Sequence, residues 1–101
     1  MRKTCLWFGT SGSKYKYYIK ELPAKFDANQ IGNYIFAKLV KNKWVPISIG
    51  EGDLRDVVND GRNQMMYIRD KGATHIHVHL NPELADRIKE EIDILANYKT
   101  S

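Results

Sequence analysis

The chain has 101 residues, 43% of them hydrophobic and 28% charged, with seven glycines and three prolines. That is ordinary globular usage, enough for one core, and it excludes a collagenous or low-complexity chain. The net charge is +4, and Glu21 and Asp27 are the only acids before Lys43, so the N-terminal half is biased toward a phosphate-bearing partner. Uninterrupted apolar runs stay as short as Ile35-Phe36-Ala37, whereas a membrane-spanning helix needs about 20 apolar residues, so no membrane crossing is expected. A lone cysteine, Cys5, cannot close an internal disulfide, and the first ten residues lack a long apolar stretch, which together point to a cytoplasmic location.

In chain order, Lys3 to Phe8 reads as a strand. Gly9 to Ser13 is a loop by composition, and Lys14 to Lys20 is a second strand. Period-two alternation places Tyr15, Tyr17 and Ile19 on one face of that strand and Lys14, Lys16, Tyr18 and Lys20 on the other. Pro23 ends regular structure, and the stretch to Gln30 reads as a turn or short helix. Asn33 to Val40 and Trp44 to Ile49 form a hairpin across Lys41-Asn42-Lys43, with Asn42 suited to a left-handed turn conformation. Pro46 removes a ladder donor, so its strand is expected at an edge or bulged there. Gly50 and Gly52 precede two short helices between Asp53 and Lys71, split at Asn59-Asp60-Gly61 and closed by Gly72. Thr74 to Leu80 alternates strictly, with His75, His77 and His79 on one side. Asn81-Pro82-Glu83 starts a final helix running to about Tyr98. The expected fold class is α+β, a small, mainly antiparallel sheet flanked by helices with an extra N-terminal strand pair.

Side-chain pattern adds candidates. On the last helix Leu84, Ile88, Ile92 and Leu95 share one face, expected to be the core face, and Glu91 borders it. A carboxylate at such a border is paired, for instance with Arg87 one turn earlier, bound to a metal, or set at the rim of the core with its charge in water. The three histidines are either a metal-binding stripe or a polar strand face covered by neighbours. Their spacing of about 7 Å is long for three ligands on one ion. Met65, Met66 and Ile68 read as helix core, and Trp7 and Trp44 as core or rim. Lys14, Lys16, Lys20, Lys38 and Arg62 are the candidate nucleic-acid contacts.

Gly32-Asn33-Tyr34 and Ser48-Ile49-Gly50, with thirteen residues between the triplets, followed by helices, a strand and a helix carrying Glu91-Ile92-Asp93-Ile94-Leu95, resemble the GIY-YIG nuclease module. On this resemblance residues 31–101 are the module and residues 1–30 an addition, within one domain of 1–101. It implies metal-dependent phosphodiester hydrolysis of DNA, with Tyr34 acting on the nucleophile and Glu91 holding Mg²⁺ or Mn²⁺. Two departures accompany it. Ser48 stands where the family has its second tyrosine, and Val57-Val58 where it has a helix arginine, with Arg55 and Arg62 on either side and Arg55 the candidate substitute. Loss of one preorganised donor typically costs about 100- to 1,000-fold in rate, so the expected activity is weakened or lost. The alternatives are a non-catalytic nucleic-acid-binding module on the same scaffold and a structural or protein-interaction domain, dimeric through the Pro46 edge.

Overall fold

The computed structural model describes residues 3–59 and 64–98. Arg62 and the expected break at Asp60-Gly61 lie outside the described residues. Eight elements follow in chain order: β1 (Thr4–Phe8), β2 (Lys14–Glu21), β3 (Ile31–Val40), β4 (Lys43–Asp53), α1 (Leu54–Asn59), α2 (Gln64–Asp70), β5 (His75–Leu80) and α3 (Leu84–Leu95). All strands join one antiparallel, curled sheet of order β1-β2-β5-β3-β4. The N-terminal hairpin is therefore continuous with the rest, through β2 pairing with β5.

Local chemistry accounts for most boundaries. Lys41 and Asn42 both take positive φ, 52° and 66°, the pair of left-handed residues that a two-residue hairpin turn requires. Pro46 stands on the edge strand β4 and opposite the register shift after Phe36, so both consequences of its missing donor are realised. β4 runs on through Gly50 and Gly52 to Asp53, longer than expected. Gly52 sustains this with a φ of 145°. The Asp53 side chain then accepts the Arg55 and Asp56 amides at the start of α1. Between Pro23 and Gln30 there are bends and turns and no helix. α3 is shorter than its sequence pattern: Glu83 is its N-cap, while Asn81 Oδ1 accepts the Glu83 amide in an Asx turn before it.

The sheet has a core on each face. On one side α1 and α2 cover Tyr34, Phe36, Ile76 and Val78 together with Phe26, Ile47, Leu54 and Ile68. On the other, Trp7, Tyr17, Ile35, Ala37 and Ile94 pack together, joined by Trp44, Ile49 and Tyr98. Ile68 is buried, Met65 half-buried and Met66 exposed, so only part of that helix segment is core.

The orientation of α3 reverses the expectation. Leu84, Ile88, Ile92 and Leu95 point outward, and the helix buries Arg87, Glu90 and Ile94 instead. The reason lies in the strands beneath: on this face β2 presents the Tyr17 hydroxyl and β5 the His79 imidazole, and the Glu90 carboxylate partners both, whereas an apolar residue there would leave them unpaired.

Candidate nucleic-acid interface and the nuclease-like residues

Tyr34 and Glu91 are not brought together. Tyr34 leaves β3 toward α1 and α2, is buried, and packs edge-on against Phe36 with ring centroids 5.4 Å apart. Ser48 pairs with Phe36 and so shares that side of the sheet. Asn33 and Glu51, paired in register, face the other way, toward α3, where Asn33 Nδ2 donates to the Arg87 carbonyl at 2.9 Å. Glu91 belongs to that second side. It is half-buried beside Glu51, and burial and the Glu51 charge together hold its carboxyl above the usual range. The sheet thus separates the phenol from the carboxylate.

The two triplet glycines have packing reasons of their own. A Cβ on Gly32 would strike the backbone carbonyl of His79 on the neighbouring strand, and one on Gly50 would strike the Tyr34 ring. Close strand and ring approach therefore explains both glycines without reference to chemistry.

The donor set around Glu91 does not fit a divalent metal. Its carboxylate neighbour Glu51 is held by Arg87, whose Nε donates to Glu51 Oε1 at 2.8 Å while its terminal nitrogen donates to the Asn81 carbonyl at 3.0 Å. Among the described residues no three His, Cys, Asp or Glu side chains converge as a metal-binding group. Arg87 and Glu90 are buried anchors that periodicity along α3 does not single out. The available signal was that both lie off the apolar stripe, next to a strand rich in histidine.

The histidine stripe occupies one face as the alternation required, but each imidazole has its own partner. His77 is fully buried between Trp7 and Trp44. Its Nδ1 accepts from Trp7 Nε1 at 3.0 Å and lies 3.2 Å from Cys5 Sγ. Burial, with a smaller contribution from His75, pulls its pKa down to about 4. His79 Nδ1 lies 3.0 Å from both oxygens of the buried Glu90, which also accepts from Tyr17 Oη at 2.6 Å. The Glu90 carboxylate raises the His79 pKa against a smaller opposing effect of burial. His75 bonds Thr74 at 2.7 Å and stands edge-on to Trp44. Of the three, only His79 ties the sheet to α3, whereas His77 and His75 pack within the strands against tryptophan.

The lysine face of β2 is a different matter. Lys14, Lys16, Tyr18 and Lys20 project on the α1–α2 side, where β1 and β2 extend beyond the helices. Directly across in register stand Phe8, Leu6 and Thr4. Register partners share a face, so the open hairpin carries Leu6, Phe8 and Tyr18 interleaved with three lysines and no acid. Phe8, Leu6 and the lysines are exposed. Lys16 Nζ stands 5.8 Å from the Tyr18 ring centroid, and Lys20 Nζ 5.1 Å from that of Phe26. Phe26 in turn lines a cavity of about 430 Å³ with Lys25, Asp27, Arg55, Val58 and Asn59. Arg55 is thereby placed at the end of a basic track, on the face away from Glu91. Lys38 is not part of it, because its ammonium donates to the Lys71 carbonyl at 3.1 Å, just beyond α2. Leu6, Phe8 and Lys25 were missed from the sequence. Only the strand pairing shows which residues flank the lysines.

Comparisons with models of known protein families, with curated proteins and with solved structures returned no match. Among the described residues no helix is long and apolar enough to cross a membrane.

Proposed function

We propose that the chain is a nucleic-acid-binding module on a GIY-YIG-like scaffold, and that it holds a DNA strand on the open face of its N-terminal hairpin. The observation that carries this reading is the register of β1 against β2, which interleaves Lys14, Lys16 and Lys20 with Leu6, Phe8 and Tyr18, and among the described residues of the two strands no carboxylate shares that face. Lysines neutralise phosphates and aromatic faces stack bases, a pairing of functions typical of single-strand binding surfaces. Lys25 and Arg55 extend the positive track beyond the hairpin.

The test is fluorescence anisotropy with a labelled single-stranded oligonucleotide across a salt series. Three single-strand phosphate contacts contribute about −2 to the slope of log K against log salt. Replacing Lys14, Lys16 and Lys20 by Gln is expected to remove that share of the slope and most of the affinity. No binding at low salt, or binding indifferent to the triple substitution, refutes the reading.

A second reading, a divergent metal-dependent endonuclease, is supported by the triplet spacing and by Tyr34, Ser48 and α1 lying on one side of the sheet. It requires nicking of plasmid DNA with Mg²⁺ or Mn²⁺ that Tyr34→Phe abolishes, whereas Glu91→Ala, on the other side of the sheet, leaves it in place. Absence of cleavage at high Mn²⁺ removes it.

A further inference from the structure

The outward face of α3 is apolar along its whole length. Leu84, Ile88, Ile92 and Leu95 are 54%, 42%, 62% and 42% exposed, and Ala85 and Ala96 are exposed beside them. A helix whose apolar side faces water while its polar side is buried is inverted with respect to the usual surface helix. The inward side cannot exchange with it, because there Arg87 donates to Glu51 and Glu90 is bonded to Tyr17 and His79. We propose that this face is the dimer interface of the protein, covered by α3 of a second copy running parallel to it.

Charge selects that occupant and that direction. At about 100° per residue, Glu91 borders the stripe on one edge and Lys89 on the other. In a parallel two-fold pair opposite edges meet, so Lys89 of each chain faces the partner's Glu91. An antiparallel pair would instead set each edge against its own kind, lysine against lysine. Glu91 already stands beside Glu51, so a cation supplied from across the interface relieves a like-charge contact that one copy leaves in place. The neighbouring small residues Ala85 and Ala96 permit close helix approach.

Area sets the expected strength. The four large side chains expose on the order of 350 Å² in one copy, and two copies with their flanking residues bury about 1,000 Å², the lower bound for a specific association. The dimer is therefore expected to be reversible and concentration-dependent. α3 lies on the face of the sheet opposite the lysine surface, so this inference stands or falls independently of DNA binding.

Sedimentation velocity from about 1 μM to about 300 μM tests it. A shift from monomer to dimer is expected over that range, with Ile92→Glu remaining monomeric throughout and as thermally stable as the wild-type monomer at about 1 μM, since in one copy the side chain it replaces is mostly in solvent. In a parallel pair equal positions meet, so Ile92→Cys is expected to form an intermolecular disulfide on mild oxidation. Cys5 does not compete, because burial pushes its thiol up to about 11. A protein monomeric at the highest concentration, or a dimer that survives Ile92→Glu, overturns the proposal. Cross-linking that requires mixing Ile88→Cys with Ile92→Cys chains overturns the parallel direction.

Discussion

The buried imidazole of His77 makes the stability of this protein depend on pH in a window that can be worked out. With its pKa lowered from 6.5 to about 4, the folded state refuses a proton that the unfolded chain accepts between those values. The sign follows from linkage: the unfolded state binds more protons there, so stability is complete above about 6.5 and falls as pH drops toward 4. One proton corresponds to about 1.4 kcal/mol per pH unit, hence about 3 kcal/mol across the window. The geometry explains why the group resists. Nδ1 is occupied as acceptor by the Trp7 indole N–H at 3.0 Å, and a proton placed there would oppose that donor. Nε2 has no hydrogen-bond partner among the described residues, so charge on the ring has nothing to receive it. The assay is urea denaturation of the wild type and His77→Gln at pH 7, 6, 5 and 4.5. Gln keeps an acceptor for Trp7 and removes the titration. The wild type is expected to lose about 2 kcal/mol more than the variant between pH 6 and 4.5, a midpoint difference of about 1–2 M urea. Parallel curves for the two proteins, or an imidazole resonance that titrates near 6.5, would refute the reasoning.

Two further predictions concern packing. Tyr17→Phe removes one of the partners of the buried Glu90 carboxylate and is expected to cost about 1.5–3 kcal/mol, read as a lowered urea midpoint at pH 7. Among the triplet glycines, Gly32→Ala is expected to destabilise by about 1–3 kcal/mol or more because its Cβ meets backbone of β5, and Gly50→Ala by less because the obstacle is a side chain. Equal midpoints for the two alanine variants would show that strand spacing does not explain the first glycine.

Among the site candidates, the residues that resemble a nuclease divide between the two faces of the sheet. Tyr34 belongs to an apolar core and Glu91 to a charged helix edge, while Arg55 joins the basic surface. Matching spacing along the chain was compatible with this outcome because a motif records strand order and turn length. The face on which each side chain emerges depends also on register and on the bulge opposite Phe36.

Periodicity and turn chemistry by themselves determined the order of the strands, a hairpin loop within Lys41-Asn42-Lys43 with Asn42 left-handed, an edge or bulge at Pro46, the common face of His75, His77 and His79, and the lysine face of β2. These follow from steric and hydrogen-bonding rules that act over two to four residues, and the sequence contains all the terms. Only the tertiary structure decided which side of α3 is buried. The local pattern favoured the leucine and isoleucine stripe, but the strands beneath offered the His79 imidazole and the Tyr17 hydroxyl, which needed the Glu90 carboxylate more than an apolar cover. The same holds for the open hairpin surface: Phe8 and Leu6 lie many residues from the lysines they flank, and pairing across the sheet is what brings them together.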